Sequence, residues 1–302
     1  MKYMTAWING QFLPFESAKL SIADSGLVHG DAVTEMLRTF GHRPFRVSEH
    51  LSRFRHSLTE SLLECHYSDE ELASIIQEVV SRSAKHLEAD RDLGVILFTS
   101  SGPNVTYLGS SDEYKPTLCV HTFPLQSSLW QGSLQQGQRL VVSPHVAIPP
   151  ESLDPTIKSR SRIHWRIADR RVKQTAPGAS AVFADSNGHL TETSSGNLFA
   201  VVDDKIITPP DSVVLNGISR QVVIELATQL GYSVRKESLS IEWASQATEM
   251  WTSSTPYCLL PVTSLNQQPV GDGKPGVIFH RILDKWSEMV GVDIQTQIMQ
   301  DC

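Results

Sequence analysis

The amino-acid sequence predicts an α+β protein of two domains, and three observations carry that expectation. Short apolar runs split by turn residues occupy the first part of the chain, with helical periodicity between them. Residues 123–137, with Pro124, three serines, four glutamines and two glycines, show no apolar period. Beyond them the pattern becomes a succession of hairpins followed by helix. A length of 302 residues suits two domains and a core that needs no disulfide or metal.

Taken in order, Met1-Lys-Tyr-Met-Thr-Ala-Trp-Ile-Asn9-Gly10-Gln-Phe-Leu-Pro14 reads as strand, turn and strand, and the turn residues Asp24-Ser25-Gly26 and Gly41-His42 punctuate the segment to Arg46. Ser48 to Leu63 has Leu51, Phe54, Leu58 and Leu62 at helical spacing, predicting one apolar face with Arg53 opposite it in solvent. Ser68-Asp-Glu-Glu71 is a capping box before a helix through Ile75, Ile76, Val79 and Val80. Strands are predicted at Gly94–Ser100 and Thr117–Thr122, closing a first domain at residues 1–122. Residues 123–137 read as an interdomain linker, and 138–302 as the second domain. There a strand over Arg139–Ser143 leads past Pro149-Pro150 to a helix over about 159–174. Strands follow at Ala179–Ala184, Leu190–Thr193, Leu198–Val202 and Lys205–Thr208. A last strong helix is predicted from Ser219 to Leu230, stopped by Gly231.

Composition excludes several function classes. The net charge of −7 argues against a general nucleic-acid surface, and the one basic cluster, from Lys158 through Arg160, Arg162, Arg166, Arg170, Arg171 and Lys173, has no interleaved aromatics. No apolar run is long enough to span a bilayer, and the first residues lack a secretory signal's apolar core, so cytoplasm is the expected location. Cys65, Cys119, Cys258 and Cys302 are far apart and form no CxxC pair, which predicts neither a metal site nor a disulfide framework.

Four segments hold the residues that carry chemistry: Pro149-Pro-Glu-Ser-Leu-Asp-Pro-Thr-Ile-Lys158-Ser, Thr191-Glu192-Thr-Ser-Ser-Gly-Asn197-Leu-Phe, Leu215-Asn-Gly217-Ile218-Ser219-Arg, and Trp251-Thr-Ser-Ser254-Thr255 with Pro261-Val262 after it. Taken singly, Lys158 reads as a solvated lysine near a helix start, Glu192 as an exposed strand-end carboxylate, and Ser219 as a plain N-cap serine at a helix start, where N–H groups and the dipole favour an anion.

In this order, and with Gly30-Asp31-Ala-Val33-Thr-Glu35 and Glu49-His50-Leu51-Ser-Arg53 before them, the segments resemble the motif set of the class IV (fold-type IV) aminotransferases. That family contains branched-chain aminotransferases, D-amino acid aminotransferases and aminodeoxychorismate lyase. The likeness covers nearly the whole chain. It implies a second domain with a β-barrel-like core, a homodimer, and pyridoxal 5′-phosphate as cofactor, with Lys158 forming the Schiff base and acting as the catalytic base. It further implies Glu192 at the pyridine nitrogen, Arg53, Ile218, Ser219 and Thr255 around the phosphate, and Gly217 and Ser254 among the other cofactor-binding residues. Where many members have a tyrosine after the lysine this chain has Arg162, as aminodeoxychorismate lyase does, which points Arg162 at the ring oxygen rather than at solvent.

The arginine that D-amino acid aminotransferases carry on the strand corresponding to Val95–Gly102 is absent, leaving Arg43, Arg160 and His29 as replacements for the substrate carboxylate. The expected activity is transamination between an amino acid and a 2-keto acid. Trp251-Thr-Ser-Ser-Thr255 leans towards D-amino acids, with branched-chain L-amino acids or lyase-type elimination as alternatives.

Overall fold

The computed structural model describes residues 3–88 and 90–300, and the chain divides into two compact units, Met1–Leu125 with Ile157–Ser161, and Gln126–Thr156 with Arg162–Cys302. Met1, Lys2 and Cys302 lie outside the described residues.

The first unit is one sheet with helices on one face. Its elements are β1 (Thr5–Ile8), β2 (Gln11–Pro14), α1 (Ser25–Val28), β3 (Ala32–Phe40), β4 (Arg43–Pro44), α2 (Val47–Ser61), α3 (Asp69–Ala84), β5 (Leu93–Ser100), α4 (Val105–Leu108) and β6 (Thr117–Pro124). Strand order is β2-β1-β6-β5-β3-β4, and every pairing is antiparallel. The hairpin at Asn9-Gly10 forms as predicted, as does the capping box, in which the Ser68 and Glu71 side chains each bond the other's backbone N–H. Leu51, Phe54 and Leu58 of α2 and Leu72, Ile76, Val79 and Val80 of α3 bury against Leu37, Val95, Leu97 and Val120 of the sheet.

Two expectations for α2 are corrected. Leu62 is not on the core face: the helix ends at Ser61, Leu62 turns left-handed at φ 56°, and its side chain is 89% exposed. Leu63 N–H then donates to Leu58 O at 3.0 Å, a closing turn that no longer follows the helical period. Arg53 is not solvated either, being 8% exposed, because a buried carboxylate on β3 meets it there.

The second unit contains α5 (Gln131–Gln136), β7 (Gln138–Val142), α6 (Ile163–Thr175), β8 (Ser180–Ala184), β9 (His189–Thr193), β10 (Asn197–Val202), β11 (Lys205–Thr208) and α7 (Ile218–Gln229), followed by β12 (Val234–Lys236), β13 (Leu239–Ser240), α8 (Ile241–Ala244), β14 (Glu249–Ser254), β15 (Cys258–Leu265), β16 (Gln268–Pro269), α9 (Val277–Val290) and α10 (Ile294–Met299). Following the pairings gives β10-β14-β15-β7-β8-β9, and the Asn197–Glu192 pair returns β9 to β10, so six strands close a barrel. Leu140, Val182, Leu190, Leu198, Ala200, Met250 and Val262 fill one core cluster of this unit. Helix α7 packs outside, on β14 and α9.

The expected linker is structured: Phe123 and Pro124 complete β6, Ser127–Leu129 is a 3-10 turn, and α5 follows. Short polar helices of this kind have too few apolar positions to show a period. The helix expected from residue 159 starts at Ile163. Nor is α7 the last strong helix: α9 buries Phe279, Ile282, Leu283 and Trp286, a 3-4 spacing that the sequence displays.

Candidate active site

In the first unit the site residues gather at the start of β3. Residues 157–161 lie along its edge, where Thr34 N–H donates to Lys158 O at 2.9 Å and Arg160 N–H donates to Ala32 O at 2.9 Å. Lys158 N–H donates to Ser57 Oγ of α2 at 3.0 Å, so both sides of the lysine's backbone are fixed. Ser161 Oγ donates to Gly30 O at 2.7 Å, and a Cβ on Gly30, whose φ is +71°, would stand 2.1 Å from that hydroxyl. Only glycine permits this approach, which gives Gly30 of the Gly-Asp-Ala-Val-Thr-Glu motif its physical role.

Glu35 of the same motif is fully buried and binds Arg53 side-on, Nε donating to Oε1 at 2.8 Å and Nη2 to Oε2 at 2.7 Å. His50 Nδ1 lies 2.8 Å from Oε2. Burial alone would raise the Glu35 pKa, but the charge and hydrogen bonds of Arg53, with those of His50, hold it at about 2. The carboxylate is therefore ionised, so it can only accept, and His50 Nδ1 carries the proton. Burial lowers the His50 pKa against the pull of Glu35, keeping the ring neutral near pH 7.

In the second unit the site is built around the β9–β10 junction. Glu192 Oε2 accepts from Asn197 Nδ2 at 3.1 Å and from Leu215 N–H at 3.2 Å, and Asn197 Nδ2 also donates to Leu215 O at 2.9 Å. A Cβ on Gly217 would sit 2.1 Å from Asn197 Oδ1, so the glycine lets the loop before α7 close on the asparagine. Gly217, and not Ser219, is the N-cap of α7, because the helix begins one residue earlier, at Ile218; the glycine supplies no side-chain cap, and Ile218 and Ser219 are 4% and 8% exposed. The first N–H groups of a helix need outside acceptors, and an anion suits them. Arg220 fixes this first turn, its Nε donating to Thr208 Oγ1 at 3.0 Å and its Nη1 to Asp211 Oδ1 at 2.6 Å.

Ser253 stands opposite Asn197 across β10 and β14 and so shares its face; its Oγ is buried with no hydrogen-bond partner among the described residues. Sequence reasoning passed over Ser253, although it lies in the Thr-Ser-Ser-Thr segment. An uncapped, buried helix start beside an orphaned hydroxyl fits a phosphate. Ser254 Oγ donates to Ser195 O, and Thr255 follows in the turn between β14 and β15. Arg162, expected near the ring oxygen rather than in solvent, reaches the same junction: its Nη2 donates to Ser194 O and its guanidinium carbon lies 5.0 Å from the centre of the Trp165 ring. Burial lowers its pKa, with Glu192 and Asp169 acting in the opposite direction. Lys158 and Arg53 thus occur together in the first unit, and Arg162, Glu192, Gly217, Ile218, Ser219, Ser254 and Thr255 in the second.

A family model described as amino-transferase class IV matches residues 32–265, a span that contains all of these residues. The chain belongs to the class IV aminotransferases. Members of this family use pyridoxal phosphate. The chain is 25% identical over 288 residues to a putative branched-chain-amino-acid aminotransferase of Methanocaldococcus jannaschii, covering 95% of this chain and 96% of that protein. It is 28% identical over 278 residues to the D-alanine aminotransferase of Bacillus licheniformis, covering 90% and 92%. Among solved structures, the branched-chain amino acid aminotransferase of Escherichia coli superposes with a TM-score of 0.83 at 25% identity, covering 96% of this chain and 94% of that one. Another branched-chain amino acid aminotransferase, from T.th. and solved with pyridoxamine 5′-phosphate, gives a TM-score of 0.86 at 26% identity, covering 96% and 95%. This class IV chain therefore resembles both enzymes named for branched-chain amino acids and an enzyme named for D-alanine.

Proposed function

We propose that this class IV aminotransferase binds pyridoxal 5′-phosphate through Lys158 and exchanges an amino group between a D-amino acid and a 2-keto acid in ping-pong fashion. The observation that supports the cofactor most is the arrangement around Glu192, whose carboxylate is oriented by Asn197 and Leu215 beside an uncapped helix start. When bound, the cofactor supplies an electron-withdrawing ring conjugated to the substrate nitrogen. Glu192 keeps a proton on the ring nitrogen, which that withdrawal requires. Ile218 and Ser219 N–H groups, the hydroxyls of Ser219, Ser253, Ser254 and Thr255, and the Arg53 guanidinium hold the phosphate. Arg162 donates to the ring oxygen. As a free amine, Lys158 takes the substrate's Cα proton.

The lean to D-amino acids rests on Trp251-Thr-Ser-Ser-Thr255, which resembles the D-amino acid aminotransferases more than the glycine-containing version of branched-chain enzymes. Purified protein with 2-oxoglutarate and a panel of D- and L-amino acids tests it: new amino acid from the D series supports the reading, and none from either series overturns transamination. Arg162 favours a second reading, elimination, which would release pyruvate without any amino acceptor. Among the described residues no helix is long and apolar enough to cross a membrane; a cytoplasmic homodimer completes the proposal, and light scattering measures the oligomer.

A further inference from the structure

The sheet of the first unit has two faces. One carries Val33, Leu37, Val95, Leu97 and Val120 against α2 and α3. The register of β3, β5 and β6 places Thr34, Phe98 and Cys119 together on the other, with Ile96 and His121 as the next pair. Ser159 pairs with Val33, so Arg160 falls on the face of Ala32 and Thr34. Its side chain follows: the guanidinium carbon lies 4.4 Å from the centre of the Phe98 ring, and Nη1 donates to Thr34 Oγ1 at 3.3 Å.

This cation lacks a counterion. No carboxylate pairs with Arg160 among the described residues, although Arg38, Arg53 and Arg220 each have one. The carboxylates at that end of the sheet are engaged elsewhere: Asp24 accepts from Gly26 N–H, Ser100 Oγ and Thr117 Oγ1, and Asp31 from Ser101 Oγ. Cys119 and His121 on the face are neutral, since burial pushes the Cys119 thiol up to about 12 and the His121 ring down to about 4. Burial lowers the pKa of Arg160 as well, but an arginine stays charged in a protein, and the side chain remains accessible to solvent.

We infer that Arg160 binds the α-carboxylate of the amino acid substrate, the function that strand β5 leaves open by carrying no arginine. The inference rests on the transaminase reading. A planar guanidinium offers two parallel N–H donors to a carboxylate, and stacking on Phe98 fixes its plane. Arg160 stands two residues from Lys158, about 7 Å along an extended chain, which suits a substrate whose nitrogen exchanges with the lysine and whose carboxylate is two bonds from that nitrogen. The other two candidates are placed less well. Arg43 pairs with Phe40 at the far end of β3, about 20 Å along the strand from Thr34. His29 is already engaged, its Nε2 lying 2.8 Å from Asn104 Nδ2, with which it is hydrogen-bonded.

The test compares wild-type, Arg160→Gln and Arg160→Lys holoproteins by two measurements. In turnover, the ratio of kcat/KM for alanine to that for ethylamine, which lacks only the carboxylate, is expected to fall about 10- to 100-fold in R160Q and to recover in part in R160K. By calorimetry, the affinity for butyrate, which needs no turnover, is expected to fall by a similar factor. An unchanged ratio together with unchanged butyrate affinity overturns the inference. If the wild type transaminates no amino acid, the transaminase reading fails separately, and butyrate then decides alone: weaker binding by R160Q supports an Arg160 carboxylate site, and equal binding overturns it.

Discussion

Glu35 and Arg53 meet through two parallel hydrogen bonds, at 2.8 and 2.7 Å, although 18 residues separate them and each alone would be a costly group to bury. Removing only the cation strands a buried carboxylate. Arg53→Ala is therefore expected to cost about 3–5 kcal/mol of folding stability, measured by urea denaturation, and to weaken cofactor binding as well. A loss below ~1 kcal/mol would mean that the pair is solvated.

The same pair sets an acid limit. The folded-state pKa of Glu35, about 2, lies below its ordinary value of 4.5, so its contribution is fully present above 4.5 and is lost as pH falls towards 2. That difference corresponds to roughly 3 kcal/mol. His50, whose pKa is lowered by burial, adds to the acid loss as pH falls below its ordinary 6.5. Stability measured against pH should fall less steeply through this window in Glu35→Gln than in the wild type.

Gly217 tests the link between the helix start and Glu192. A methyl group in Gly217→Ala would collide with Asn197 Oδ1, displacing the amide that orients the carboxylate. Cofactor titration followed by absorbance should show affinity reduced about tenfold or more, the loss of a charge-assisted hydrogen bond. Unchanged affinity would show that Asn197 does not position Glu192.

Glu192→Gln keeps the shape of the junction and removes the charge. Transamination should fall on the order of 10²-fold while the thermal midpoint stays near that of the wild type, since the amide can still accept from Asn197 and Leu215. Activity close to wild type would remove Glu192 from the ring nitrogen.

What the sequence made legible were features written within a few residues: the Asn9-Gly10 hairpin, the Ser68 to Glu71 capping box, the hairpin run of the second unit, and the ordered motifs that named the family. Features that depend on distant partners were not. Arg53 looked solvated because its period sets it opposite Leu51 and Phe54, and nothing local announces that Glu35 will lie behind it. The barrel closes at the Glu192–Asn197 pair, a contact that strand patterning alone does not supply. Leu62 fitted the helical period, yet the chain leaves the helix there. Replacing this exposed, left-handed leucine by glycine should raise stability by about 0.5–1 kcal/mol, because glycine adopts that backbone without strain.

Which lysine holds the cofactor can be read directly by incubating the protein with pyridoxal 5′-phosphate, reducing it with borohydride and mapping the labelled peptide by mass spectrometry. The phosphopyridoxyl group is expected on the peptide containing Lys158, and Lys158→Ala should lose both the label and transamination. A label on another lysine, or full activity in Lys158→Ala, would contradict the assignment.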